Sequence, residues 1–137
     1  EKLKQLKANL KRTRTQAFAQ AQAAETRSSA TLRELANELQ SEHAEDRIMA
    51  VQEMVRMNNK RAVPYLVSAL EEETRSKHVI IALIQALNVF KDERAVDVLA
   101  AHLDNEERLK YTDKVSDYAR RALTAIGTEE ALAALGN

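Results

Sequence analysis

The stretch ALNVFKDERAVDVLAAHL, from Ala86 to Leu103, sets the register of the chain because it recurs on both sides of itself. Upstream, Glu53 to Leu70 reads EMVRMNNKRAVPYLVSAL; downstream, Ala122 to Leu135 reads ALTAIGTEEALAAL. Ala62 and Ala95 are 33 residues apart, and Ala95 and Ala131 are 36 apart. The three extra residues fall around Glu107–Lys114. A period of this length marks stacked supersecondary units.

The aligned columns are those a packed core requires. Met54, Leu87 and Leu123 share one column, and Met57, Phe90 and Ile126 another. Then come Ala62/Ala95/Ala131, Val63/Val96/Leu132, Leu66/Leu99/Leu135 and Leu70/Leu103. In the second half of each unit the apolar residues fall at i, i+1, i+4 and i+8, one helical stripe. Asn59, Asp92 and Thr128 align at the hand-over, and all three are N-capping types. Each unit therefore reads as helix, short turn, helix. Pro64 fits only if the regular helix starts a residue or two after the cap, which puts it in the first turn. Leu35 and Leu39 repeat the spacing of Leu66 and Leu70, so Thr31–Gln40 is expected to be the second helix of an incomplete first unit. The expected helices span roughly 2–28, 31–40, 44–57, 61–72, 76–90, 94–104, 113–126 and 129–135.

Composition agrees. Two Gly, one Pro and no Trp are too few for a turn-rich β fold. Ala, Leu, Glu, Lys, Arg and Gln favour helix. The predicted fold class is all-α: an α-solenoid of about three helical hairpins preceded by one long N-terminal helix. With no cysteine there are no disulfides and no thiolate metal sites.

The repeat, with its ALxxIGxEEALxxL ending at Leu135, resembles HEAT-like repeats of the type found in phycobilin-lyase-related bacterial proteins. The resemblance covers about residues 30–137. It is strongest over Ala122–Leu135 and weaker over Glu53–Leu70, where Met-Asn-Asn replaces a Gly-containing turn. It implies units that stack side by side, and it says little about function. Arg120 stands in the column of Val51 and Ile84, so that face of the third unit is expected to meet solvent or something charged.

The net charge of zero hides a split between a 1–28 arm and the 30–137 repeat domain. Residues 1–28 carry seven basic and two acidic residues, and residues 29–137 carry fourteen and nineteen. Leu3, Leu6, Leu10 and Ala17 form a thin heptad seam along the arm. Three readings stay open for it: a helix that caps the repeats, a helix that self-associates or pairs with a partner helix, and a basic segment beside a membrane anchor. The last rests on the basic run and on the chain opening with Glu1 rather than Met, which leads to the expectation of an upstream segment cleaved or left out. Membrane contact is expected only through such a segment. On localisation, cytoplasmic or membrane-associated placement is favoured.

Catalysis needs convergent polar groups, and none emerges. His43, His78 and His102 share no ligand spacing, and there is no phosphate loop or nucleophile motif. No metal, no cofactor and no catalytic residue is expected. A lyase-like or metal-dependent enzyme is the disfavoured alternative, and nucleic-acid binding is disfavoured because acidic residues oppose the basic ones on the second helices. The polar face of those helices remains. Arg61, Pro64, Tyr65, Ser68 and Glu72 in one unit, and Arg94, Asp97 and Ala101 in the next, form a ridge on which a partner protein is expected to bind. The expectation is a non-catalytic scaffold or adaptor. Its structural rival is a homo-oligomerising module of a larger, membrane-tethered protein.

Overall fold

The computed structural model describes residues 31–136. The expected 2–28 helix, with its seam Leu3, Leu6, Leu10 and Ala17, lies outside the described residues. The chain divides into two units between Glu34 and Leu35. Only residues 31–34 of the first are described; the second carries the repeats.

Residues 31–38 are helical (α1). The helices α2 (Ala44–Met57), α3 (Val63–Glu72), α4 (Lys77–Phe90), α5 (Val96–Ala100), α6 (Val115–Ile126) and α7 (Glu129–Ala134) follow. Short 3-10 turns, Lys60–Ala62 and Glu93–Ala95, lead into α3 and α5. Among the described residues there is no strand, only an isolated bridge between Arg108 and Lys114. The fold is an all-α solenoid. The first helices of the units pack in series, α2 on α4 and α4 on α6. The second helices line up beside them, α3 on α4 and α5 on both α6 and α7.

The core columns explain this order. Met54, Leu87 and Leu123 are each fully buried, as are Ala62, Ala95 and Ala131. The alanines let the second helix of each unit approach the stack closely. The α4 sequence KHVIIALIQALNVF is apolar nearly all round, as a helix with neighbours on several sides must be. It buries eight residues, from Val79 to Phe90. In contrast α6 buries one side only, and Arg120 is exposed where Val51 and Ile84 are sealed. Leu132 is likewise 39% exposed in the column where Val63 and Val96 are buried.

The junction inside each unit repeats one piece of backbone chemistry. Asn58, Lys91 and Gly127 each end the first helix in the left-handed conformation, at φ 51°, 53° and 68°. The next residue caps the following helix. Asn59 accepts from the Arg61 amide, Asp92 from the Arg94 amide and Thr128 from the Ala131 amide. Asn and Gly tolerate positive φ, whereas the Cβ of Lys is strained there. Lys91→Gly should therefore raise the unfolding free energy by up to about 1 kcal/mol, after the extra freedom of the unfolded chain is deducted. A rise in urea midpoint with unchanged slope is the check. Pro64 sits in the first turn of α3, where its missing N–H costs nothing.

One expected helix is shorter than its sequence suggests. The apolar pattern predicts helix throughout 94–104, but α5 ends at Ala100 and residues 101–104 form turns. The next helix begins at Val115 rather than at residue 113. Beyond the helix, Asn105 is tied into the inserted loop. Its amide N–H donates to the His102 carbonyl, and its own carbonyl accepts from the Ser116 amide. Its Oδ1 accepts from the Glu107 amide at 3.0 Å. That contact fixes the side chain so that Nδ2, a donor only, faces His102 Nδ1 at 3.2 Å. His102 Nδ1 must then accept, with its proton on Nε2. Burial also pushes the His102 pKa below its ordinary 6.5. The unfolded chain therefore protonates first, and the stability that goes with the buried neutral ring is lost as the pH falls below 6.5. His102→Gln should flatten that part of the stability profile, measured by urea melts across the pH range.

Candidate functional site

The ridge expected from sequence is at the surface. Arg61, Pro64, Tyr65, Ser68, Glu72, Arg94, Asp97 and Ala101 are all exposed. The structure brings three of them together. Tyr65, Ser68 and Glu72 line a cleft of about 510 Å³ with Ala69, Glu73 and Arg75. Ala36, Asn37, Leu39 and Gln40, from α1 and the turn after it, form the opposite wall. Arg61, Pro64, Arg94, Asp97 and Ala101 do not line it. Arg94 serves the fold instead. Its guanidinium forks onto Asp92, and Nη2 also reaches the Lys60 carbonyl at 3.3 Å, tying two successive turns. The hydrogen bonds from Arg94 hold the Asp92 carboxyl down at about 2.

The cleft is open because of what the repeat places there. Tyr65 aligns with Val98 one unit later. Val98 is 6% exposed and Tyr65 39%. The same column is closed in the α5 unit and open between α1 and α3. Leu39, with Ala36 and Ala69, gives the cleft a small apolar floor. Asn37, Gln40, Ser68 and Glu72 rim it with exposed polar groups.

A buried ion pair holds one wall. Arg47 of α2 and Glu73, just past α3, have side chains 3% and 5% exposed. Arg47 Nη2 donates to Glu73 Oε1 at 3.1 Å, and Nη1 donates to the Ser41 carbonyl at 2.7 Å. Nε lies 3.0 Å from Oε2, but its N–H is not aimed at that oxygen. This second arm is therefore an ionic contact and not a full hydrogen bond. Glu73 Oε1 also accepts from the amides of Arg75 and Ser76. The α1–α2 turn, α2 and the α3–α4 turn are thus fastened at one point. Sequence reasoning misses this pair. Its only sequence trace is a cation in the column of Ile80 and Ser116.

Among the described residues no group of three or more His, Asp or Glu is disposed to hold a metal ion. His43 and His78 are exposed, at the starts of α2 and α4. No described helix is long and apolar enough to cross a membrane.

A family model described as HEAT repeats matches residues 32–115. No curated protein and no solved structure matches the chain. The family match stops at 115, yet the same repeat continues structurally through α6 and α7, with its left-handed junction at Gly127 and its buried Ala131. With more than half of its length matched and the repeat order carried through the fold, the chain belongs to the HEAT-repeat family.

Proposed function

We propose that this protein is a non-catalytic scaffold or adaptor that binds another protein on the exposed face of its second helices. HEAT repeats commonly serve as protein-interaction scaffolds. The observation that carries the reading is Tyr65, 39% exposed at an open cleft whose counterpart in the next unit is sealed. Tyrosine combines a large apolar ring with a polar tip, which suits it to interface centres. The phycobilin-lyase-like subtype remains a reading of the Ala122–Leu135 motif alone.

The test compares the wild type with Ser68→Arg/Ala101→Arg in affinity capture from host lysate. Both positions are exposed, so the substitutions add bulk and charge without entering the core. Specific capture lost in the double variant, at an unchanged melting temperature, supports the reading. Equal capture by both proteins argues against it.

A further inference from the structure

We propose that His102 and Asn105 form a proton-sensitive latch on the inserted loop 105–114: the loop is held to the end of the α5 segment while His102 is neutral, and that side of it is released when the ring takes up a proton. The device stands apart from the scaffold reading and needs no partner.

The loop is tied at its two ends by different chemistry. Its far end rests on α6. The Lys114 amide donates to Asp117 Oδ2 at 3.1 Å, and Asp113 pairs with Arg121. Its near end rests on Asn105. Asn105 Oδ1 accepts from the Glu107 amide at 3.0 Å, and Nδ2 lies 3.2 Å from His102 Nδ1. Between the ends the loop braces itself. Arg108 and Lys114 pair across it, Lys114 Nζ reaches Glu106 at 2.8 Å, and Thr112 Oγ1 accepts from the Leu109 amide at 3.0 Å. Releasing Asn105 therefore leaves a braced loop hanging from α6.

The contact tolerates only a neutral ring. Nδ2 of Asn105 donates and cannot accept, so His102 Nδ1 must accept. An imidazolium carries N–H on both nitrogens and sets a donor against a donor. Asn105 cannot answer by turning its amide over, because Nδ2 would then face the Glu107 amide, which is also a donor. Both ends of the side chain are committed, so a proton on Nδ1 breaks one hydrogen bond or the other. Among the described residues, His102 is the one histidine whose ring meets a hydrogen-bonding side chain.

Burial works in the same direction. The half-buried ring has its pKa held below the ordinary 6.5, and burial is the one cause. The elements packed on α5 carry Glu71 and Glu72 on α3, Asp117, Arg120 and Arg121 on α6, and Glu129 and Glu130 on α7. Asp97 and Asp104 flank the ring in its own segment. None of these charges acts on it, so no neighbouring carboxylate offsets the cost of the proton. Opening the latch hydrates the ring, and falling pH below 6.5 favours the open form.

The experiment is NMR of the full chain from about pH 8 to about pH 5, the range in which histidine changes charge. At the upper end the ring nitrogen shifts should show an accepting Nδ1 and a proton on Nε2. As His102 titrates, exchange of the Glu107 amide should quicken by up to about tenfold beyond the intrinsic effect of pH, the loss of one hydrogen bond. The amides of the buried Leu83 and Leu87 on α4 should stay protected. His102→Asn puts a non-titrating acceptor near the place of Nδ1, and should keep Glu107 protected at the lower end. Asn105→Asp inverts the device: its carboxylate faces Nδ1, favours the imidazolium and should raise the His102 pKa. A proton on Nδ1 at the upper end, Glu107 exchange that ignores His102, or an unmoved His102 pKa in Asn105→Asp overturns the inference. So does loss of protection at Leu83 and Leu87 in step with Glu107, since the whole stack is then opening.

Discussion

Arg47→Met is expected to lower the unfolding free energy by about 3–5 kcal/mol, the usual cost of removing one partner from a buried ion pair. The Glu73 side chain is 5% exposed and cannot recover its hydration when the guanidinium is gone. The Ser41 carbonyl loses a 2.7 Å donor in the same step. Glu73→Gln should cost less, because the amide oxygen can still accept from the Arg75 and Ser76 amides. Arg47→Lys should not rescue, since one ammonium cannot reach both the carboxylate and the Ser41 carbonyl with the fork that Arg offers. Urea melts of the three variants order them. A loss under about 1 kcal/mol for Arg47→Met would mean that the pair is hydrated, contrary to its burial. The same variant should loosen the cleft wall, because Glu73 lines the cleft.

Leu87→Ala is expected to cost about 2–5 kcal/mol, the range for a buried leucine that leaves a cavity. Leu87 is fully buried on α4, the helix that packs against α2, α3 and α6. Leu83, Ile84 and Met54 are fully buried as well, so the core has little room to collapse. The matching truncation at the edge, Leu132→Ala, removes a side chain that is already 39% exposed. It should cost about 1 kcal/mol, because part of that side chain's apolar surface is already in water. Urea midpoints of the two variants test whether α4 is the energetic centre of the stack. Equal losses would contradict that.

The repeat is legible because its signals are local and come three times. The Asn59/Asp92/Thr128 caps and the Leu66/Leu99 stripe align directly, and the buried alanines follow from the same register. The first-turn position of Pro64 follows from its chemistry alone. The early end of α5 is not legible. Ala101, His102 and Leu103 continue a good helical pattern, and the turn and loop hydrogen bonds that replace it, those of Asn105 among them, carry no periodic signal. The ridge residues are visible as a polar stripe, but not which of them share a cavity. That depends on α1 standing opposite α3, a contact between segments about thirty residues apart that no periodicity reports. The Arg47–Glu73 pair is invisible for the same reason: its partners are 26 residues apart and each looks like ordinary surface charge.

On the scaffold reading, partner proteins meet the exposed face of the second helices. The most direct measurement places a photo-reactive amino acid at Ser68 or Ala101 on that face, and at Gln52 or Val89, exposed residues of the first helices α2 and α4. Irradiation in host lysate, followed by mass spectrometry of the adducts, reads which face is covered. The expected result is one recurrent protein cross-linked from Ser68 and Ala101 and not from Gln52 or Val89. Adducts confined to Gln52 and Val89, or no specific adduct from any of the four positions, would contradict it.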